Sequence, residues 1–233
     1  MRIPELSVFF PAYNEEKNLE KVVRSALTVL PKVAEDWEIL IINDGSQDRT
    51  GEVAERLKRG NPKVRVIHHK KNRGYGAALK SGFYNAKKEW ITFCDSDGQF
   101  DFGEIEKLIR VQRQTKADLV GGYYLQRKVP FYRILGSKIW ECLVSLFFGL
   151  KLRDIDCGFK LVSRKVIQKI PKLEAERGPF ISTELLVKAQ KAGFKIAQVG
   201  VHHYPRKAGR ATGASLKVVL SGFFDLLRLR GKL

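Results

Sequence analysis

The sequence predicts an α/β protein: a mainly parallel central sheet flanked by helices, with amphipathic helices towards its C-terminal end. Three observations predict it. Short apolar runs alternate with helix-spaced segments through the first half of the chain. Polar turn-forming residues follow three of those runs. A hydrophobic content of 44% over 233 residues is enough to bury a core.

In chain order, Leu6 to Phe10 reads as a buried strand closed by Pro11. Glu15 to Leu30 carries Leu19, Val22, Val23, Ala26 and Leu30 at helical spacing, and Pro31 is expected to stop it. Trp37 to Ile42 is the second strand, turning at Asn43-Asp44-Gly45-Ser46. A helix over 50–59, a strand over 64–68 and a helix over 76–86 rich in small residues follow. Trp90 to Cys94 is the fourth strand and runs into Asp95-Ser96-Asp97. A helix over 102–115 and a fifth strand over 118–122 complete the regular part. Beyond it lie an aromatic helical stretch over 131–149, a loop entering a strand over 154–162, a helix over 181–192, a strand over 196–204 and a helix over 215–229. Repeated strand–helix units imply right-handed crossovers. Ligands of such sheets bind at the carboxyl ends of the strands.

Lys and Arg number 43 against 25 Asp and Glu, a formal net charge of +18. Such a field draws nucleic acid, nucleotide phosphates or anionic lipid headgroups, and cannot by itself choose among them. Cys94, Cys142 and Cys157 form neither a metal-type pair nor an even count, which suits a reducing compartment. Arg2, Pro4 and Glu5 interrupt the start, so no secretory signal is expected. No apolar run reaches the roughly 18 residues that cross a bilayer.

The chemistry concentrates at the strand ends. Asp95 and Asp97, one residue apart past a buried strand, can converge on Mg²⁺ or Mn²⁺, which take oxygen ligands and leave positions open for substrate phosphates. Alone, Asp-Ser-Asp-Gly also reads as a turn. Asp44 can accept from a base or ribose, or cap the helix that follows. Glu15 can serve a ligand, or merely the positive end of a helix. Asn72-Arg73-Gly74-Tyr75-Gly76 opens a helix, as anion-binding turns do, but also as any glycine turn does. Glu184 reads as a structural salt-bridge partner on an apolar helix. The pair His202-His203 lacks a third ligand at metal spacing and reads as structural or acceptor-facing.

Phe10-Pro11-Ala12-Tyr13-Asn14-Glu15, Asn43-Asp44-Gly45-Ser46, Asn72-Arg73-Gly74-Tyr75-Gly76 and Asp95-Ser96-Asp97 occur in that order. The set resembles the family 2 glycosyltransferases of GT-A fold. Downstream, Asp154-Ile155-Asp156-Cys157-Gly158-Phe159-Lys160 and Arg206-Lys207-Ala208-Gly209 look like the branch that glycosylates polyprenyl phosphates, whose best-known members are the dolichyl-phosphate mannose synthases. The resemblance implies a catalytic domain over 1–212 and an interfacial helix over 213–233. It implies that Pro11, Tyr13, Glu15 and Asp44 line the nucleobase pocket. Asp95, Ser96 and Asp97 would bind the donor, with Asp95, Asp97 and Gln99 on Mg²⁺ or Mn²⁺. Arg133 and Arg206 would face the lipid phosphate, with Lys160 nearby. Mannose synthases carry an arginine just after the fifth strand and a lysine six residues past the Arg206 position. This chain has Tyr123 and Thr212 there, with Arg127 and Arg210 as the nearest substitutes.

The implied reaction inverts a hexose from a nucleotide-diphosphate sugar (GDP-mannose or a UDP-sugar) onto a polyprenyl or dolichyl phosphate. A phosphate monoester is already ionised near neutrality, its second pKa being about 6. It needs clamping by guanidinium more than a base. Asp154 is the expected carboxylate near the acceptor, as base or as orienter of an arginine. The basic amphipathic stretch from Ser215 to Leu233, and the one from Phe131 to Leu150, suit a bilayer interface. The expected placing is therefore cytoplasmic and peripheral, at the inner face of a membrane or on a separate membrane-anchor subunit. A non-lipid sugar acceptor is the nearest alternative. Nucleotidyltransfer would want a Gly-rich signature near the first strand, which is absent. A non-catalytic nucleic-acid module would place carboxylates where they repel phosphate, so no nucleic-acid partner is expected.

Overall fold

In a computed structural model, residues 2–126, 131–206 and 216–232 are described, without the side chains of 131–133 and 216–220. The element order is β1 (Ile3–Ala12), α1 (Leu19–Val33), β2 (Ala34–Asn43), α2 (Thr50–Gly60), β3 (Val64–His68), α3 (Tyr75–Asn85), β4 (Trp90–Cys94), a single 3-10 turn (Phe102–Glu104), α4 (Ile105–Thr115), β5 (Leu119–Tyr124), α5 (Phe131–Phe148), β6 (Phe159–Ser163), α6 (Arg164–Lys169), α7 (Phe180–Lys191), β7 (Ile196–Val201) and α8 (Leu216–Lys232). One sheet holds all seven of these strands in the order β3-β2-β1-β4-β6-β5-β7. Every pairing is parallel except those of β6, which runs antiparallel to both β4 and β5.

The apolar runs of β1, β2 and β4 read from the sequence are strands buried on both faces. Along β1, Leu6, Val8 and Phe10 point to one core, shared with α1, α2 and α4. Phe9 points to the other, shared with α3, α5, α6, α7 and α8. Phe9 stacks on Phe93 at 5.4 Å and meets Phe83 edge-on at 5.0 Å. Helix α3 comes so close to β1 that a Cβ on Gly82 would stand 2.3 Å from the Phe9 ring. Its small residues are a packing requirement.

One expectation is corrected, and two features go beyond what the sequence announced. Pro31 does not stop α1 but sits in its last turn. Its ring removes the N–H that would bond the Leu27 carbonyl, but the helix runs on for two more residues and closes with Ala34 N–H on the Leu30 carbonyl. Strand β6 breaks the parallel pattern, because the loop before it lies at the carboxyl edge and the chain must run back from there. Helix α6 was not foreseen. The expected boundary at 212 and 213 lies outside the described residues. Helix α8 packs against α7 and α5, with Leu226 and Leu229 in the core.

Gly82→Ala is expected to destabilise the fold by roughly 1–3 kcal/mol through overpacking against Phe9. A urea midpoint equal to wild type would refute that packing constraint.

Candidate active site

The carboxyl ends of β1, β2 and β4 open into one cavity of about 640 Å³. Its lining includes Pro11, Tyr13 and Glu15 at the end of β1, Asp44 after β2, Asn72 to Tyr75 at the start of α3, and Asp95, Ser96, Asp97 and Gln99 after β4. Asp156, Arg177 to Pro179 and Arg206 close the far side. Three loops read separately from the sequence are thus brought together.

Each loop is tied down by its own polar residues. Asn14 adopts φ +55°, accepts from Gln47 N–H at 2.8 Å, and its own N–H reaches Ser46 Oγ at 3.0 Å. Glu15 N–H donates to Thr50 Oγ1 at 2.8 Å. Ser96 Oγ donates to the Pro11 carbonyl at 2.6 Å, joining the β1 and β4 loops. Asp44 does not cap α2. Its carboxylate accepts Arg73 N–H at 3.0 Å, Gly74 N–H at 2.8 Å and the His69 ring nitrogen Nδ1 at 2.5 Å. It therefore shapes the glycine turn and forms part of the cavity wall. His69 is held in turn by Ser81 at 2.8 Å.

The carboxylates past β4 are crowded. Asp95 accepts from the Tyr75 hydroxyl at 2.8 Å and lies so close to Gly158 that a Cβ there would stand 2.0 Å from its Oδ2. Burial first, and repulsion from Asp97 second, push the Asp95 carboxyl up to about 7. Burial also raises Glu15, against the pull of Asn18 and Arg206. The Arg206 guanidinium bridges Glu15 at 3.0 Å and Asp97 at 2.8 Å. Gln99 is pinned to Tyr204 by both backbone and side chain.

Asp95 and Asp97 fit a hard divalent cation chemically: both are oxygen donors, and the raised Asp95 marks a site short of positive charge. Among the described residues no group of three His, Cys, Asp or Glu side chains converges on one point. Such a cation would draw its remaining ligands from substrate phosphates and water.

Two expected acceptor-side residues lie elsewhere. Lys160 is 1% exposed, inside the sheet, with its ammonium on the Cys157 carbonyl and 3.4 Å from Ser182 Oγ. Burial lowers its pKa. The strand alternation that points Lys160 inward takes it away from the cavity. Asp154 is also absent from the cavity lining. One of its oxygens accepts Tyr124 N–H at 2.8 Å, and its own N–H donates to Glu141. Asp156, two residues on, is the carboxylate of that loop that lines the cavity. Arg127 and Arg210 lie outside the described residues, as does the side chain of Arg133. His202 pairs with Glu104 at 2.5 Å, and His203 packs on Tyr124 and Phe100. Glu184 is structural, with Lys188 at 2.6 Å and the N–H groups of Glu174 and Ala175.

Sequence reasoning missed Tyr75, Asp156, Arg177 and His69 as site builders. An aromatic between two glycines was a signal for Tyr75, and Asp156 stood within a quoted motif. Arg177 sits in an irregular segment and gave no signal.

The fold is GT-A. A solved glucosyl-3-phosphoglycerate synthase from Mycobacterium tuberculosis, in complex with Mn²⁺, UDP-glucose and phosphoglyceric acid, superposes with a TM-score of 0.74 at 20% identity, covering 98% of this chain and 80% of that one. Residues 7–171 match the Glycosyl transferase family 2 model, and the chain belongs to that family. It is 33% identical over 208 residues to glycosyltransferase AglD of Haloferax volcanii, covering 87% of this chain and 33% of AglD. It is 34% identical over 219 residues to the dolichyl-phosphate beta-glucosyltransferase of Homo sapiens, covering 85% of this chain and 67% of that enzyme. The chain thus spans a third of one relative and about two thirds of the other.

A raised carboxyl favours folding while protonated. The Asp95 contribution is full below its ordinary 3.8 and is lost as pH rises through about 7. With chelator present, Asp95→Asn is expected to gain stability over wild type at about pH 8 relative to about pH 5. An equal difference at both pH values by urea denaturation would contradict the raised pKa.

Proposed function

We propose that this chain is a metal-dependent inverting glycosyltransferase that moves a hexose from a nucleotide-diphosphate sugar to a polyprenyl phosphate. One observation carries the reading: the crowded Asp95–Asp97 pair opens into the cavity that Arg206 enters, in a chain about one third identical to a dolichyl-phosphate glucosyltransferase. That relative's name favours glucose over mannose as the hexose.

In this reading Pro11 and Tyr13 hold the nucleobase, and Glu15 stands at its ribose side. Asp44 supports the site indirectly, by fixing the turn over 72–74. Asp95, Asp97 and Gln99 hold Mg²⁺ or Mn²⁺, which when bound would supply the charge that offsets the diphosphate. Arg206, with Arg133, Arg127 and Arg210, clamps the acceptor phosphate. In the ligand-free protein Arg206 neutralises Glu15 and Asp97, and substrate phosphate competes for the same guanidinium. The acceptor is already ionised, so no base is required and Asp154 acts by fixing the exit of β5.

A membrane surface is the proposed partner. Leu135, Ile139 and Leu146 are exposed at helical spacing along α5, with Leu146 78% exposed. Phe223, Phe224 and Leu227 are exposed on α8, which packs against α5. Exposed aromatics and leucines beside lysines and arginines suit insertion at a headgroup boundary. Among the described residues no helix is long and apolar enough to cross a membrane. In this reading the protein sits peripherally at the cytoplasmic face of a membrane, or on a separate anchor subunit.

Transfer to a polyprenyl phosphate should be seen with one of GDP-mannose, UDP-glucose or UDP-N-acetylglucosamine, and only with Mn²⁺ or Mg²⁺. Asp97→Ala should lower kcat/KM by about a hundredfold or more. Turnover that survives chelation, or that occurs only on soluble sugar acceptors, would overturn the reading. Replacing Leu146 and Phe224 by serine should cut sedimentation with anionic vesicles several-fold while leaving turnover of detergent-dispersed acceptor intact. Unchanged sedimentation would remove these helices from the membrane.

A further inference from the structure

Between α6 and α7 the chain crosses from 171 to 179 without regular secondary structure, yet its middle is anchored at successive residues. Leu173 N–H donates to the Tyr84 hydroxyl at 2.8 Å. The buried Glu184 carboxylate takes the next two N–H groups, of Glu174 and Ala175, at 2.8 and 2.9 Å. The Glu176 carbonyl accepts Ala77 N–H at 3.0 Å, and its carboxylate takes Arg73 and Lys80 at 3.1 Å each. Glu174 is gripped by Lys232 of α8 at 2.5 Å. This strap lies directly on the glycine turn before α3. A Cβ on Gly76 would stand 2.6 Å from the Ala175 carbonyl, and one on Gly74 would stand 2.7 Å from that of Glu176.

The anchoring brings Arg177 to the cavity lining, and the same residue also borders a second cavity between the strap and α8. The two other arginines of the lining are engaged, Arg73 with Glu176 and Arg206 with Glu15 and Asp97. Arg177 forms no ion pair with any described residue. The same lining carries Glu15, Asp44, Asp95, Asp97 and Asp156, a field that repels phosphate unless cations offset it. A guanidinium is always charged, weakly hydrated and shaped to take two oxygens of one phosphate. Fixing its backbone in advance lowers the entropy lost on binding.

We propose that Arg177 is a substrate-binding residue whose guanidinium takes a phosphate oxyanion in the cavity, with the strap over 173–176 serving to hold it there. The assignment rests on the reading of the cavity as the site of a nucleotide-diphosphate sugar and a phosphate acceptor. The oxyanion belongs either to the donor diphosphate or to the acceptor phosphate, and the experiment separates the two.

The full-length protein with Mn²⁺ would be titrated calorimetrically with UDP and with GDP, as wild type, Arg177→Gln and Arg177→Lys. The KM for polyprenyl phosphate would be measured alongside. Arg177 is exposed, so both variants should melt like wild type. Arg177→Gln is expected to weaken one of the two phosphate ligands by about ten- to a hundredfold, with Arg177→Lys recovering part of the loss. A rise in the nucleotide Kd assigns the oxyanion to the donor; a rise confined to the acceptor KM assigns it to the acceptor. Values within twofold of wild type for both ligands would overturn the proposal. If wild type binds neither nucleotide, the functional reading fails, and pyrophosphate titration then decides on Arg177 alone: loss of binding in Arg177→Gln supports it, and equal binding sinks it.

Discussion

The site depends on like charges held close together at one edge of a sheet. Parallel strands β1, β2 and β4 deliver Glu15, Asp44, Asp95 and Asp97 to their carboxyl ends. Burial raises both Asp95 and Glu15, and repulsion from Asp97 adds to it, so that carboxylates so placed favour protonation or a cation. The rest of the cavity answers that demand. Tyr75 donates to Asp95, Arg206 spans Glu15 and Asp97, and three donors converge on Asp44. The arrangement stores affinity for positive charge where a diphosphate would need it neutralised. Uncompensated repulsion is a cost to stability, and functional sites are where such costs are retained.

The four carboxylates are not equivalent, and their hydrogen bonds say why. Asp44 is saturated by backbone donors and a histidine, so it acts on a ligand through the turn it shapes. Glu15 and Asp97 share one guanidinium that a competing anion can draw away. Asp95 takes the neutral Tyr75 hydroxyl as its side-chain donor, and neutral partners compensate a buried charge less than ionic ones do. Asp95 and Asp97 are therefore the pair with most to gain from a cation. Gly158 matters for the same reason, since any side chain there would displace Asp95.

The first half of the fold was legible because each apolar run was short, bounded by turn residues and followed by helical spacing. The strand over 64–68 and the one over 90–94 appear at the expected residues. The strand-end motifs were legible for a related reason: a loop that serves a ligand carries polar side chains the fold itself does not require. Lys160, which the resemblance sets near the lipid phosphate, is turned inward by its register opposite Phe93. Asp154 and Asp156 stand two residues apart, and only the backbone decides which of them lines the cavity. Asp154 takes φ +42°, a conformation no sequence pattern there announces. Arg177 was illegible because its placement comes from contacts some hundred residues away in sequence, between Glu176 and the helix that begins at Tyr75.

Those long-range contacts also connect the cavity to the proposed membrane face. Lys232 and Arg228 of α8 reach Glu174, and the residues after Glu174 lie on the glycine turn that Asp44 shapes. The two ion pairs are exposed and individually weak, the Arg228 one being 3.7 Å long. The connection is carried instead by Glu184, whose buried carboxylate ties the strap to α7, while Leu226 and Leu229 seat α8 on the same core. A shift of α8 on a bilayer would thus be transmitted mainly through apolar packing against α7, and only secondarily through charge. Salt would then weaken the link between Lys232 and Glu174 without loosening the strap, because the strap's N–H groups donate to the Glu184 carboxylate, which is buried and little screened.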